Sequence, residues 1–116
     1  MTKNNKIYSF LGLAAKAGKV GSGEFVSETS IKKHMACLVI VAEDASENTK
    51  KHFRDMCSYR NIPIRIWGTK DELGHSIGKE MRVTIVINDS GFAESLIKQL
   101  DLLDNIKASN SQEEIN

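Results

Sequence analysis

The chain has 116 residues, 41% hydrophobic and 27% charged, which is the composition of one globular domain with a single core. No apolar stretch reaches the ~18 residues of a membrane span. No apolar block follows the polar start Met1–Lys6, so the expected setting is cytoplasmic, with no membrane partner. Cys37 and Cys57 both fall inside predicted elements, and a disulfide is not expected in that compartment. The net charge of +1 is unevenly spread: residues 1–102 hold 15 Lys and Arg against 12 Asp and Glu, and residues 103–116 hold one against three. Nucleic-acid binders are often far more basic, so the clustering of charge says more than its total.

In chain order, Ile7, Phe10, Leu11 and Ala14 recur at helical spacing and predict a helix from Lys6 to about Lys16, stopped by Gly18. Val20-Gly21-Ser22-Gly23 reads as a turn, extended at most around Val20. A second helix is expected from about Gly23 with Ser22 as N-cap, burying a thin stripe of Phe25, Val26 and Ile31. Cys37–Ala42 is a continuous apolar run rich in β-branched residues, the mark of a strand buried on both faces. Ser46 to about Arg60 predicts a helix with Phe53, Met56 and Cys57 inward and Glu47, Lys50, Lys51 and Arg54 outward. Asn61-Ile62-Pro63 ends it, because proline disfavours the α conformation in the residue before it.

Ile64–Trp67 reads as a shorter strand, and Thr69 caps a short helix through Leu73 with Glu72 at its third position. Gly74–Arg82 is expected to be a loop made flexible by Gly74 and Gly78. Val83–Ile87 is a second buried strand, and Gly91 to about Leu103 a last helix with Phe92, Leu96, Ile97, Leu100 and Leu103 on one face. Residues 104–116 are polar and aperiodic and are read as a disordered tail after a single domain at 1–103. Alternating strands and helices imply an α/β fold, a three-layer α/β/α sandwich around a small, mostly four-stranded mixed sheet.

Several chemistries are excluded by spacing. Gly12 to Lys19 looks superficially like a phosphate-binding loop, but five residues rather than four separate its glycines and Val20 stands where Ser or Thr is needed. The three histidines and two cysteines form no metal-ligand pair, and Ser76 beside His75 makes no triad without a placed partner, so neither a metal, a cofactor nor an enzyme is expected.

Two binding candidates are left. Gly21-Ser22-Gly23-Glu24 offers close backbone approach, the N–H groups of a helix start, and a carboxylate that can accept from a guanine edge; it equally describes a capped helix with a solvated glutamate. In the second, Lys79 and Arg82 can reach phosphates and Ile77, Met81 or Val83 can pack on an exposed base; an ordinary connection with solvated charges has the same composition.

Gly12–Lys19, Ser22-Gly23-Glu24, Leu38–Ser46 and Leu73–Lys79 together resemble, in order, the kink-turn RNA-binding ribosomal proteins of the L-seven-Ae and L-thirty-e superfamily, closest to its bacterial YlxQ-type, ribosomal-protein-like branch. The resemblance covers roughly residues 6–102. It implies an α/β/α sandwich and a non-enzymatic, RNA-binding function. In that family the turn and helix start matching Gly21–Ser27 read sheared G·A pairs, and the loop matching Ile77–Val83 covers a flipped-out nucleotide. The resemblance places Glu24 on the guanine-contacting glutamate and Gly21, Ser22, Gly23 and Ser27 around it. The second loop supplies Ile77, Gly78, Lys79, Glu80, Met81 and Arg82. Lys16, Lys19 and Lys32 are assigned to phosphates. Archaeal members usually carry Asn before the glutamate and Lys three residues after it, where this chain has Gly23 and Ser27. The partners implied are a structured RNA of the kink-turn type, ribosomal RNA among the options, and the ribosome itself, bound as a monomer. The alternative is a protein-interaction module on the same fold.

Overall fold

The computed structural model describes the backbone of residues 3–115 and the side chains of residues 5–106. The elements are α1 (Lys3–Lys16), β1 (Val20–Ser22), α2 (Glu24–Lys32), β2 (Leu38–Val41), α3 (Glu47–Arg60), β3 (Ile64–Ile66), α4 (Lys70–Ser76), β4 (Thr84–Ile87) and α5 (Ser90–Ile115). The strands form one sheet in the order β1-β4-β2-β3, with β2 and β3 parallel and the other two pairs antiparallel. The parallel pair is joined through α3, as a parallel crossover requires.

Side-chain alternation along the two central strands divides the core. Leu38 and Ile40 of β2 and Ile85 and Ile87 of β4 pack with Ile7 and Leu11 of α1, Leu73 of α4 and Leu96 and Leu100 of α5. Val39, Val41 and Val86 face the other way, onto Ile31 of α2 and Phe53 and Cys57 of α3. Both strands are therefore buried on both sides, which is why their sequences are apolar throughout. The fold is a three-layer α/β/α sandwich with α1, α4 and α5 on one face and α2 and α3 on the other. Burial pushes the Cys57 thiol up to about 11, so it stays neutral and serves as a small apolar filler of the second core.

Local chemistry sets most boundaries. Ser46 accepts from the Thr49 amide at the start of α3, and Asn61 ends it in the left-handed region (φ 56°) one residue before Ile62-Pro63. Thr69 accepts from the Glu72 amide and caps α4. Arg65 on the outer strand grips Asp101 through two bonds, Nε to Oδ1 at 2.9 Å and Nη2 to Oδ2 at 3.2 Å, tying α5 to β3.

Four expectations are corrected. Val20–Ser22 is not a turn but an edge strand paired with β4, Val20 opposite Ile87 and Ser22 opposite Ile85. Gly23, not Ser22, is the N-cap of α2. Gly74 to Ser76 belong to α4, so the connecting segment starts only at Ile77. The last helix does not stop near Leu103 but continues to Ile115, because no glycine or proline after Gly91 interrupts it.

Candidate functional site

Edge strand β1 places the start of α2. The Gly23 amide donates to the Thr84 carbonyl at 3.0 Å, which holds the turn against β4. Gly23 takes φ 93°, ψ 159°, a conformation open in practice only to glycine, and supplies no side-chain cap. The first amides of α2 are thus left unbonded by any cap, at the positive end of the helix dipole. Glu24 is exposed there, and among the described residues its carboxylate has no hydrogen-bond or ion-pair partner.

The segment from Ile77 to Val83 is strapped down rather than flexible. The Gly78 amide donates to the His75 carbonyl, the Lys79 amide to that of Gly74, and the Arg82 amide to that of Lys70, all within 3.0 Å. Gly74 is buried beneath this segment, and a Cβ there would sit 1.7 Å from the Glu80 carbonyl oxygen. Glycine at 74 is a condition of the segment's close return, not a source of mobility.

Arg82 joins the two segments. Its Nε donates to Ser22 Oγ at 3.1 Å and its Nη1 to the Met81 carbonyl at 2.9 Å. Between the segments and the end of α1 lies a cleft of about 460 Å³, lined by Gly12, Ala15, Lys16, Val20, Ser22, Ser76, Ile77, Gly78 and Lys79. Lys16 and Lys79 are exposed at its rim, and among the described residues neither ammonium is paired. Lys19 is exposed in the turn before β1, where its carbonyl accepts from the Asn88 amide at 2.8 Å.

Two of the residues assigned to RNA lie elsewhere. Ser27 is fully buried, with its hydroxyl 2.8 Å from that of Thr84 beneath α2, so its side chain is closed to any ligand. Lys32 is exposed at the far end of α2, about 12 Å along the axis from Glu24. Glu80 and Met81 are exposed on the strapped segment, with Met81 next to the Arg82 brace.

Phe25 and Val26 correct the expected buried stripe: they are 81% and 43% exposed. The residues α2 buries are Ser27, Ser30 and Ile31. Counting back from Ile31 by one and four residues reaches Ser30 and Ser27, not Phe25 or Val26, so helical periodicity held the signal, hidden by two small polar residues on the inward face. Val26 lies over Gly21, where a Cβ would come within 2.8 Å of its Cγ1.

A larger hollow of about 760 Å³ adjoins the cleft, sharing Ser76 and Lys79, and Tyr8, Asp71, Glu72, His75, Glu80 and Met81 are among its lining. Burial, reinforced by the Glu72 carboxylate, pushes the Tyr8 phenol well above its ordinary value, so it is protonated throughout the physiological range. Three carboxylates in its wall make this hollow hostile to a polyanion, whatever its volume. No group of three metal-ligating side chains converges among the described residues, and no helix there is long and apolar enough to cross a membrane.

The model of the ribosomal protein L7Ae/L30e/S12e/Gadd45 family matches residues 5–97. The chain belongs to this family. Among curated relatives, the RNA-binding protein YlxQ of Bacillus subtilis (strain 168) is 45% identical over 94 residues, covering 81% of this chain and 94% of its own length. The RNA-binding protein YlxQ of Enterococcus faecium is 39% identical over 89 residues, covering 77% and 85%. These matches place the chain in the YlxQ-like branch of the L7Ae family. Of solved structures, a Bacillus halodurans C protein described as of unknown function superposes with a TM-score of 0.80 at 38% identity, over 83% of this chain and 97% of that one. The Giardia lamblia 15.5kD RNA binding protein superposes at 0.72 with 17% identity, over 87% and 89%, a likeness of fold alone.

Proposed function

We propose that this L7Ae-family protein is a non-enzymatic binder of structured RNA that recognises a kink-turn or a related bend through the start of α2 and the adjacent Ile77–Val83 segment. The observation that carries this reading is the Arg82–Ser22 bond of 3.1 Å, which holds the two segments side by side with the unpartnered Glu24 between α2 and solvent. Both segments are fixed before any ligand arrives, so little ordering entropy opposes binding. Glu24 accepts from the N1–H and amino group of a guanine in a sheared pair, and the uncapped amides of α2 approach the same nucleotide. Lys16, Lys19 and Lys79 hold phosphates, and the affinity falls as salt rises. Arg82 serves mainly as the brace, since two of its donors are engaged within the protein.

The chain lacks two recognition groups common in archaeal members. Gly23 carries no amide side chain, and position 27 is occupied by a buried serine where no cation would fit. Discrimination therefore rests on Glu24 and on shape. The reading extends to ribosomal RNA as a source of the bend, to the cytoplasm as the setting and to a monomer as the binding form.

Calorimetric titration with a kink-turn RNA and a control in which Watson–Crick pairs replace the sheared pairs tests the reading. Binding to the kink-turn well above the control is expected. Glu24→Ala should weaken the kink-turn complex about tenfold while leaving the control unchanged, as loss of one good base contact does. Equal binding of both RNAs by the wild type would refute kink-turn recognition, and binding to neither would favour the alternative of a protein-interaction module.

A further inference from the structure

One prominent side chain on this face has no role in the reading above. Phe25 is 81% exposed at the second position of α2, directly after Glu24. Among the described residues it has no aromatic or cationic partner, whereas the comparably exposed Tyr59 (84%) lies under the Arg60 guanidinium, 5.3 Å from its ring centre. Two other exposed apolar side chains lie on the segments that the Arg82–Ser22 bond joins. Val26, 43% exposed, covers Gly21 of β1. Met81, 53% exposed, precedes Arg82, whose guanidinium is bonded to Ser22. An open ring therefore follows an unpartnered carboxylate at the start of α2, directly after strand β1, whose Val20 and Ser22 line the lysine-rimmed cleft. Such a juxtaposition suits an unstacked nucleobase: its π-face has a ring to rest on, its edge a carboxylate, and its phosphates the ammonium groups.

We propose that Phe25 is a base-stacking residue, its ring packing on an unpaired nucleobase of the bound RNA. This rests on the reading of the face as an RNA site and adds to it a ligand subsite. Stacking accepts any base, so Phe25 contributes affinity rather than sequence choice, and it releases no counterions. It stands in for part of what the missing side chain at Gly23 and the buried Ser27 do not provide.

The test is a fluorescence titration with kink-turn RNA carrying 2-aminopurine at the unpaired positions of the bend. The wild type should quench the probe at one of these positions. Phe25→Ala, whose fold should be intact because the ring is exposed, should lose the quench and about tenfold in affinity, with the slope of log affinity against log salt unchanged. Phe25→Trp should restore both. Unchanged quench and affinity in Phe25→Ala would overturn the proposal, as would full rescue of affinity by Phe25→Leu, since bulk alone would then suffice. Wild type that binds neither the kink-turn nor the Watson–Crick control would remove the RNA site and the stacking seat together. Failure confined to Phe25→Ala removes only the seat.

Discussion

Two adjoining hollows on this protein share Ser76 and Lys79 but differ in the charge of the rest of their lining. The larger, about 760 Å³, carries Asp71, Glu72 and Glu80 in its wall. The smaller, about 460 Å³, is rimmed by Lys16 and Lys79 and lined by Val20 and Ser22 of β1 and by Ile77 and Gly78. Volume ranks them one way and chemistry the other. A polyanion needs cations that carboxylates do not offset, and of these two hollows only the smaller has lysines and no carboxylate in its lining. The strap over Gly74 forms the partition between the two, because Lys79 and Glu80 emerge from it next to each other.

The largest expected effect comes from breaking that partition. Gly74→Ala puts a Cβ 1.7 Å from the Glu80 carbonyl oxygen, a backbone atom that cannot rotate away. Denaturant unfolding should show a loss of about 3 kcal/mol, and RNA affinity should fall even where the protein remains folded, because the strapped segment must shift. A wild-type unfolding curve would show that the strap is not tight.

Next in size is the hydroxyl pair beneath α2. Ser27→Ala strands the Thr84 hydroxyl in the core and should cost about 1–3 kcal/mol. The double variant Ser27→Ala/Thr84→Val should cost less than the two single changes added together, since no polar group is then left unpaired. Additive losses in a double-mutant cycle would mean that the 2.8 Å contact carries no coupling.

The smallest effects compare the two walls directly. Lys79→Ala should lower RNA affinity severalfold and reduce the salt slope by about one, as loss of a single phosphate contact does. Glu80→Gln, on the neighbouring residue but facing the acidic hollow, should change affinity by less than about twofold, and upward. Titrations at two salt concentrations would measure both, and a larger effect at Glu80 than at Lys79 would reverse the assignment of the two walls.

Much of this molecule is legible in its sequence. The runs Leu38–Val41 and Thr84–Ile87 announce doubly covered strands by hydrophobicity alone, and Ser46, Thr69, Asn61 and Pro63 mark helix ends through local hydrogen bonds and dihedral limits that need no distant partner. Family membership is equally readable, because the short glycine-bearing segments occur in a specific order. What only the tertiary structure decided depends on contacts between residues far apart in the chain. Val20–Ser22 is a strand because β4 offers it an edge, and three residues are too few to show a period. Gly74 is rigid because Glu80 returns over it. Arg82 is held against β1 because Ser22, sixty positions earlier, accepts its Nε–H. Ser27 is buried and Phe25 exposed because Thr84 provides a hydroxyl partner inside, which lets the polar residue take the inward face and leaves the aromatic ring in solvent. Local propensity and periodicity report what a segment does by itself; burial, register and side-chain pairing are set by whatever the rest of the chain brings alongside it.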